Sequence, residues 1–96
     1  MGTLQDILSV LRNERDRLFA KHAVTSMAVF GSTARGEQRT DSDVDIMVEF
    51  DSGKDYDFLE LAEELERMLH RKVDLVTRKG VRPWYMAHIE PDLKYV

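Results

Sequence analysis

A chain of 96 residues, 43% hydrophobic and 33% charged, has the composition of one folded domain, too small for two cores and too apolar for disorder. Its formal net charge of -4, with a pI near 5.3, argues against broad electrostatic binding of nucleic acid, and the absence of cysteine removes disulfides and thiolate zinc sites. No stretch has the apolar length of a membrane span or the apolar core of a signal peptide, so an intracellular, cytoplasmic protein is expected.

Thr3 with Asp6 marks a helix start, and Leu4, Ile7, Leu8, Leu11 and Leu18 then predict one helix over residues 4–20. Ser26 to Phe30 is a short apolar run, predicted as a strand that stops at Gly31. Thr33 to Glu37 suits a short helix and residues 38–42 a polar turn. Residues 43–50 alternate, with Val44, Ile46, Val48 and Phe50 on one side, and predict a second strand. Residues 51–54 are turn material. Phe58, Leu61, Ala62, Leu65, Met68 and Leu69 recur at helical spacing and predict a helix buried on that face, with Glu60, Glu63, Glu64 and Glu66 on a solvated one. Val73 to Thr77 predicts a third strand. The remainder, WYMAHIEPDLKYV, suits a short helix or turn and then a short extended piece.

The stretch VFGSTARGEQRTDSDVDIMVEF gathers aspartates at alternate positions behind a Gly-Ser turn. Like charges held close together raise one another's pKa, so the arrangement calls for a cation or a proton. Strand residues two apart share a face at about 6.6–6.8 Å along the chain, so Asp43 and Asp45 are expected to project together, opposite the apolar side. Such a pair suits the two Mg²⁺ ions, roughly 3.5–4 Å apart, of phosphoryl-transfer sites. Asp74 interrupts the apolar run of the next strand and is a third candidate for the same site. Gly31 lets the backbone turn sharply and approach a ligand, the helix start behind it offers amide hydrogens to phosphate oxygens, and Ser32 adds a hydroxyl. Gly31 and Gly36 have the spacing of a P-loop, but Glu37 and Gln38 stand where Lys and Ser or Thr are required. Asp41, Asp43 and Asp45 imitate the start of an EF-hand, which Ile46 and Ser52 then contradict.

Gly31-Ser32, followed by Asp43-Val-Asp45 and by Asp74 on a later strand, resembles the signature of the polymerase-beta-type nucleotidyltransferase superfamily, and the fuller stretch resembles its minimal (MNT) members. The resemblance covers nearly the whole chain and implies an α+β fold, a small mixed β-sheet flanked by helices and similar to the polymerase-beta palm. It implies that Asp43 and Asp45 bind two Mg²⁺ ions, and that Asp74 completes the catalytic metal site and helps deprotonate the attacking hydroxyl. Gly31 and Ser32 would hold the triphosphate of ATP. Arg35 either reaches a phosphate or pairs with Glu37 or Asp41.

Minimal members of this family occur beside HEPN-type toxins, so the resemblance implies an antitoxin, in a hetero-oligomer with its toxin, that transfers AMP to a tyrosine of that partner. Neither a membrane nor direct nucleic-acid binding is expected. The alternative is a binding module that neutralises its partner by covering it. Asp41 is expected to be a solvated turn residue, and His22, His70 and His88 share no ligand spacing. Arg71, Lys72, Arg78, Lys79 and Arg82 flank the Asp74 strand as contacts for triphosphate or partner, or merely as strand-end charges. Trp84 and Tyr85 suit either core or interface.

Overall fold

The computed structural model describes residues 3–37 and 42–96. The turn expected over residues 38–42, with Asp41 in it, lies almost wholly outside the described residues. Helix α1 (Leu4–Asn13) begins as its sequence dictates: the Thr3 hydroxyl accepts the Asp6 amide at 3.1 Å, and the Asp6 carboxylate accepts the Thr3 amide. The expected single helix over 4–20 is instead two. Glu14, at φ -107° and ψ 8°, closes α1 and opens α2 (Arg15–His22). No apolar side chain between Leu11 and Leu18 holds that turn against the core, so the chain is free to bend there. Both leucines are fully buried on either side of the bend.

Strand β1 (Val24–Phe30) starts two residues earlier than expected, directly after Ala23 ends α2 in the left-handed conformation. The four-residue helix α3 (Gly31–Ala34) follows, displaced toward the glycine from the expected 33–37. Strand β2 (Val44–Phe50), helix α4 (Phe58–Leu69) and strand β3 (Val73–Thr77) match expectation closely. The chain ends in helix α5 (Pro83–Ile89), a 3-10 turn (Glu90–Asp92) and the short strand β4 (Lys94–Tyr95).

The four strands lie in the order β3-β2-β1-β4, with β1 antiparallel to both neighbours and β2 parallel to β3. Helix α4 makes the crossover between the parallel pair, as such a connection requires. One face of the sheet carries Val29, Val44, Ile46, Val48 and Leu75, which pack with Ile7, Leu11 and Leu18 from the first two helices and with Leu61, Leu65 and Leu69 from α4. The other face is covered at its centre, where Phe30 and Met47 meet Ile89 of α5. A strand with both faces covered explains why Met47 is buried although it alternates with the apolar set.

Two expectations for α4 fail. Phe58 belongs to the apolar series but is exposed, because it is the first residue of the helix and lies by Val76, Val81 and Trp84 on an open hollow instead of beneath the sheet. Glu64, assigned to a solvated face, is buried. It accepts from His22 Nε2 at 2.7 Å, Lys21 Nζ at 3.1 Å and Arg17 at 2.6 Å, tying α2 to α4. His22 is buried with it. Glu66 also turns inward and accepts the Val73 amide at the start of β3.

Burial alone would raise the Glu64 pKa, but the hydrogen bonds from His22, Arg17 and Lys21 outweigh it and hold the carboxyl at about 2. A depressed carboxyl stabilises the fold above the ordinary range near 4.5, and that contribution is lost as pH falls toward 2. Glu64→Ala strands the buried His22 ring, whereas the half-exposed Arg17 and Lys21 can turn to water, and it is expected to cost about 1–3 kcal/mol in urea unfolding at pH 7. A loss below about 0.5 kcal/mol, the range of an ordinary surface change, would show that the cluster contributes little.

Candidate active site

The Gly-Ser turn and the aspartates meet at one end of the sheet because of register. Phe30 pairs with Asp45 across the antiparallel ladder, and Asp45 pairs with Asp74 across the parallel one. Directly paired residues share a sheet face, so Phe30, Asp45 and Asp74 form one row. Gly31 follows Phe30 immediately, at φ +71°. A Cβ added there would fall on the Asp45 carboxylate, well inside van der Waals contact. The glycine is therefore required twice, by its backbone angle and by the acid it lets in. Ser32 and Thr33 follow in the first turn of α3, where amide hydrogens have no intrahelical acceptor.

Asp43 lies one residue before the start of β2, near enough to Asp45 for its charge to act on that carboxyl. It is exposed, while Asp45 lies within the strand and is partly covered. The pair brought together by the fold is Asp45 with Asp74, whose side chains lie within hydrogen-bonding reach. Burial pushes the Asp45 carboxyl up; the charge of Asp74, the bond to it and the charge of Asp43 push it further; Arg35 opposes them in part. The result is a carboxyl raised to about 6.

Two carboxylates sharing a site in this way hold a proton or a cation between them. Among the described residues no three His, Cys, Asp or Glu side chains converge at metal-ligand spacing. The donors present are all carboxylate oxygens, which suits a hard cation such as Mg²⁺ and not a soft-ligand metal. Burial first, and then the like charges of Asp74 and Asp43, disfavour a bare Asp45 carboxylate, and a hard cation shared by these oxygens would offset both, so the residues fit such a cation.

Arg35 closes α3 and donates from Nε to Glu37 at 3.0 Å and from one terminal nitrogen to Asp92 at 2.8 Å. Of the expected partners, Glu37 is the one these contacts show, joined by Asp92, 57 positions away in sequence, while Asp41 lies outside the described residues. Of the other basic candidates, Arg71 donates to the Ser42 carbonyl beside Asp43, whereas Arg78, just past the far end of β3, bridges Glu49 and the Tyr95 hydroxyl. The hollow of about 530 Å³ lined by Phe58, Val76, Val81, Trp84 and Tyr85 does not include the aspartates. Trp84, at 72% exposure, belongs to a surface and not to the core.

A mixed sheet flanked by helices, with an acidic strand pair set against a Gly-Ser turn, is the architecture of a nucleotidyltransferase. The chain belongs to the nucleotidyltransferase domain family, whose pattern matches residues 8–93. It is 49% identical to a candidate protein adenylyltransferase of Methanocaldococcus jannaschii, with all of both chains covered. It is 37% identical to the protein adenylyltransferase MntA of Thermococcus cleftensis, covering all of this chain and 98% of that one. Among solved structures it resembles a toxin–antitoxin crystal structure with AMP-PNP, at a TM-score of 0.68 and 26% identity over 86% of this chain and 69% of that one. The α+β fold expected from the resemblance is the one observed, and the chain is an enzyme of the nucleotidyltransferase class. No helix among the described residues is long and apolar enough to cross a membrane.

Proposed function

We propose that this protein transfers AMP from ATP to a tyrosine hydroxyl of a HEPN-type toxin, and acts as that toxin's cytoplasmic antitoxin in a hetero-oligomeric complex. The carrying observation is the Asp45–Asp74 pair beside a turn in which only glycine fits. Relatives of nearly equal length that bear the name protein adenylyltransferase, and a similar toxin–antitoxin structure with an ATP analogue, support the reading. The chain acts as a single catalytic domain over residues 1–96, with its acceptor supplied by another protein.

In this reading the Gly31 and Ser32 backbone and the Ser32 hydroxyl orient the triphosphate, and Arg35 adds positive charge beside it. Asp45 and Asp74, with Asp43 at the rim, would hold two Mg²⁺ ions. When bound, Mg²⁺ would offset charge on the attacked phosphate and on the departing pyrophosphate. Asp74, the more exposed of the central pair, accepts the proton of the attacking hydroxyl as its oxygen bonds to the alpha phosphorus and the bond to pyrophosphate breaks. Asp45, the partly covered member, is screened by water less than the exposed Asp74.

A second reading draws on the exposed Trp84 and Tyr85 at the open hollow, which suit a contact surface. It makes the protein a binding module that neutralises its toxin by complex formation alone. Incubation with the purified partner, ATP and Mg²⁺, followed by intact mass spectrometry of both chains, separates the two. One or more AMP units on the partner are expected, with none when Mg²⁺ is chelated. An unchanged mass with a stable complex, formed equally by an Asp43→Asn/Asp45→Asn variant, would favour the binding module.

A further inference from the structure

We infer that Asp92 is a positioning residue for nucleotide binding, holding the Arg35 guanidinium at the Gly-Ser turn from the C-terminal end of the chain. The inference rests on the nucleotide site described above. Arg35 is tied by two carboxylates of unequal stiffness. Glu37 is two residues away and its side chain is 62% exposed, so its tether follows wherever the arginine goes. Asp92 is different. Its side chain is only 25% exposed, and the backbone around it is fixed on both sides. Before it, Ile89 is buried against Phe30 and Met47, and Pro91 stiffens the 3-10 turn. After it, Leu93 packs on that cluster, Tyr95 pairs with Ala28, and the Val96 amide donates to the Met27 carbonyl at 2.9 Å. Phe30 immediately precedes Gly31, so the cluster that anchors Asp92 also anchors the turn.

An exposed ion pair of this kind adds little to stability. Its consequence lies in order. An arginine that is 43% exposed samples many rotamers, and each ligand contact it makes must first fix one of them. The bond to Asp92 fixes it in advance and uses only one terminal nitrogen, while Nε is engaged by Glu37. A guanidinium has five donors, so others remain for a phosphate oxygen.

The test is calorimetric titration with AMP-PNP and Mg²⁺, beside a steady-state transfer assay. Asp92→Ala is expected to weaken AMP-PNP binding about three- to tenfold, the cost of one unfixed side chain, and to raise KM for ATP with kcat unchanged. Asp92→Glu recovers part of the loss, and Asp92→Ala in an Arg35→Ala background adds nothing further. A thermal melt run alongside is expected to show the same midpoint for Asp92→Ala and wild type, and Asp92→Asn supplies a second variant of nearly identical shape. Wild-type affinity in both Asp92 variants, while Arg35→Ala binds weakly, would overturn the role of Asp92 alone. Equal loss with and without Arg35 would also overturn it, since Asp92 would then not act through the arginine. Failure of the wild-type protein to bind AMP-PNP would instead remove the nucleotide site itself, and this inference with it.

Discussion

Replacing Asp43 and Asp45 together by asparagine is expected to lower AMP transfer by roughly a thousandfold or more, through loss of the carboxylates that carry the metal-assisted step. The same variant is expected to be more stable than the wild type without metal at pH 7. The Asp45 carboxyl is raised to about 6 from an ordinary 3.8. A carboxyl raised on folding contributes stability that is fully present below the ordinary value and is lost as pH rises through the folded one. Wild-type protein in a chelator therefore loses this contribution between about pH 4 and pH 6 to 7, a loss that the variant, without the Asp45 carboxyl, does not share. The full shift would correspond to nearly 3 kcal/mol, and discounting it for partial exposure leaves about 1–2 kcal/mol. Urea unfolding in EDTA at pH 4.5 and at pH 7 measures both quantities. A stability difference that does not grow between those two values would remove the repulsion argument, and retained transfer would remove the metal assignment.

Gly31→Ala is the second large effect. Its methyl group would occupy the space of the Asp45 carboxylate, and the backbone would still have to hold φ +71°. The left-handed conformation alone costs an alanine roughly 1–2 kcal/mol, and displacing the acid adds to it. A loss of about 2–3 kcal/mol in stability is expected. Transfer should fall by roughly a hundredfold or more, because a reacting group moved by about 1 Å costs that much. Gly36 provides the control. It too has a positive φ, at +75°, but a Cβ there meets nothing within 4 Å. Gly36→Ala should therefore cost about 1 kcal/mol from backbone strain alone and leave most of the activity. Equal activity losses in the two variants would show that backbone angle, and not the approach of Asp45, is what Gly31 supplies.

The functional residues were legible to different degrees, for reasons of sequence distance. Gly31, Ser32, Asp43 and Asp45 lie in one short stretch whose spacing is itself the signal. Asp74 stood out only as a charge inside an apolar strand. Asp92 carried no local signal at all: an acid after a proline near a chain end suits any exposed turn, and its link to Arg35 spans 57 positions. Glu64 failed in the opposite sense. Its helical position resembles those of Glu60 and Glu63, and only the approach of α2 turns it into a buried anchor for His22, Arg17 and Lys21.

By itself, the sequence determined the elements that pack against the sheet and the chemistry of its acidic end. Side-chain periodicity is a local property, so the apolar faces of α1 and β2, and that of α4 apart from Phe58, could be assigned from hydrophobic spacing alone. The tertiary structure decided which acids meet. A parallel pairing of β2 and β3 through α4 sets Asp45 beside Asp74 and leaves Asp43 at the rim, and no spacing within either strand encodes that register. It also brought the C-terminal turn to Arg35, because burial of Ile89 against Phe30 and Met47 fixes where the chain end must lie. These contacts arise from closing long loops over a shared core, and their geometry exists only once the core has formed.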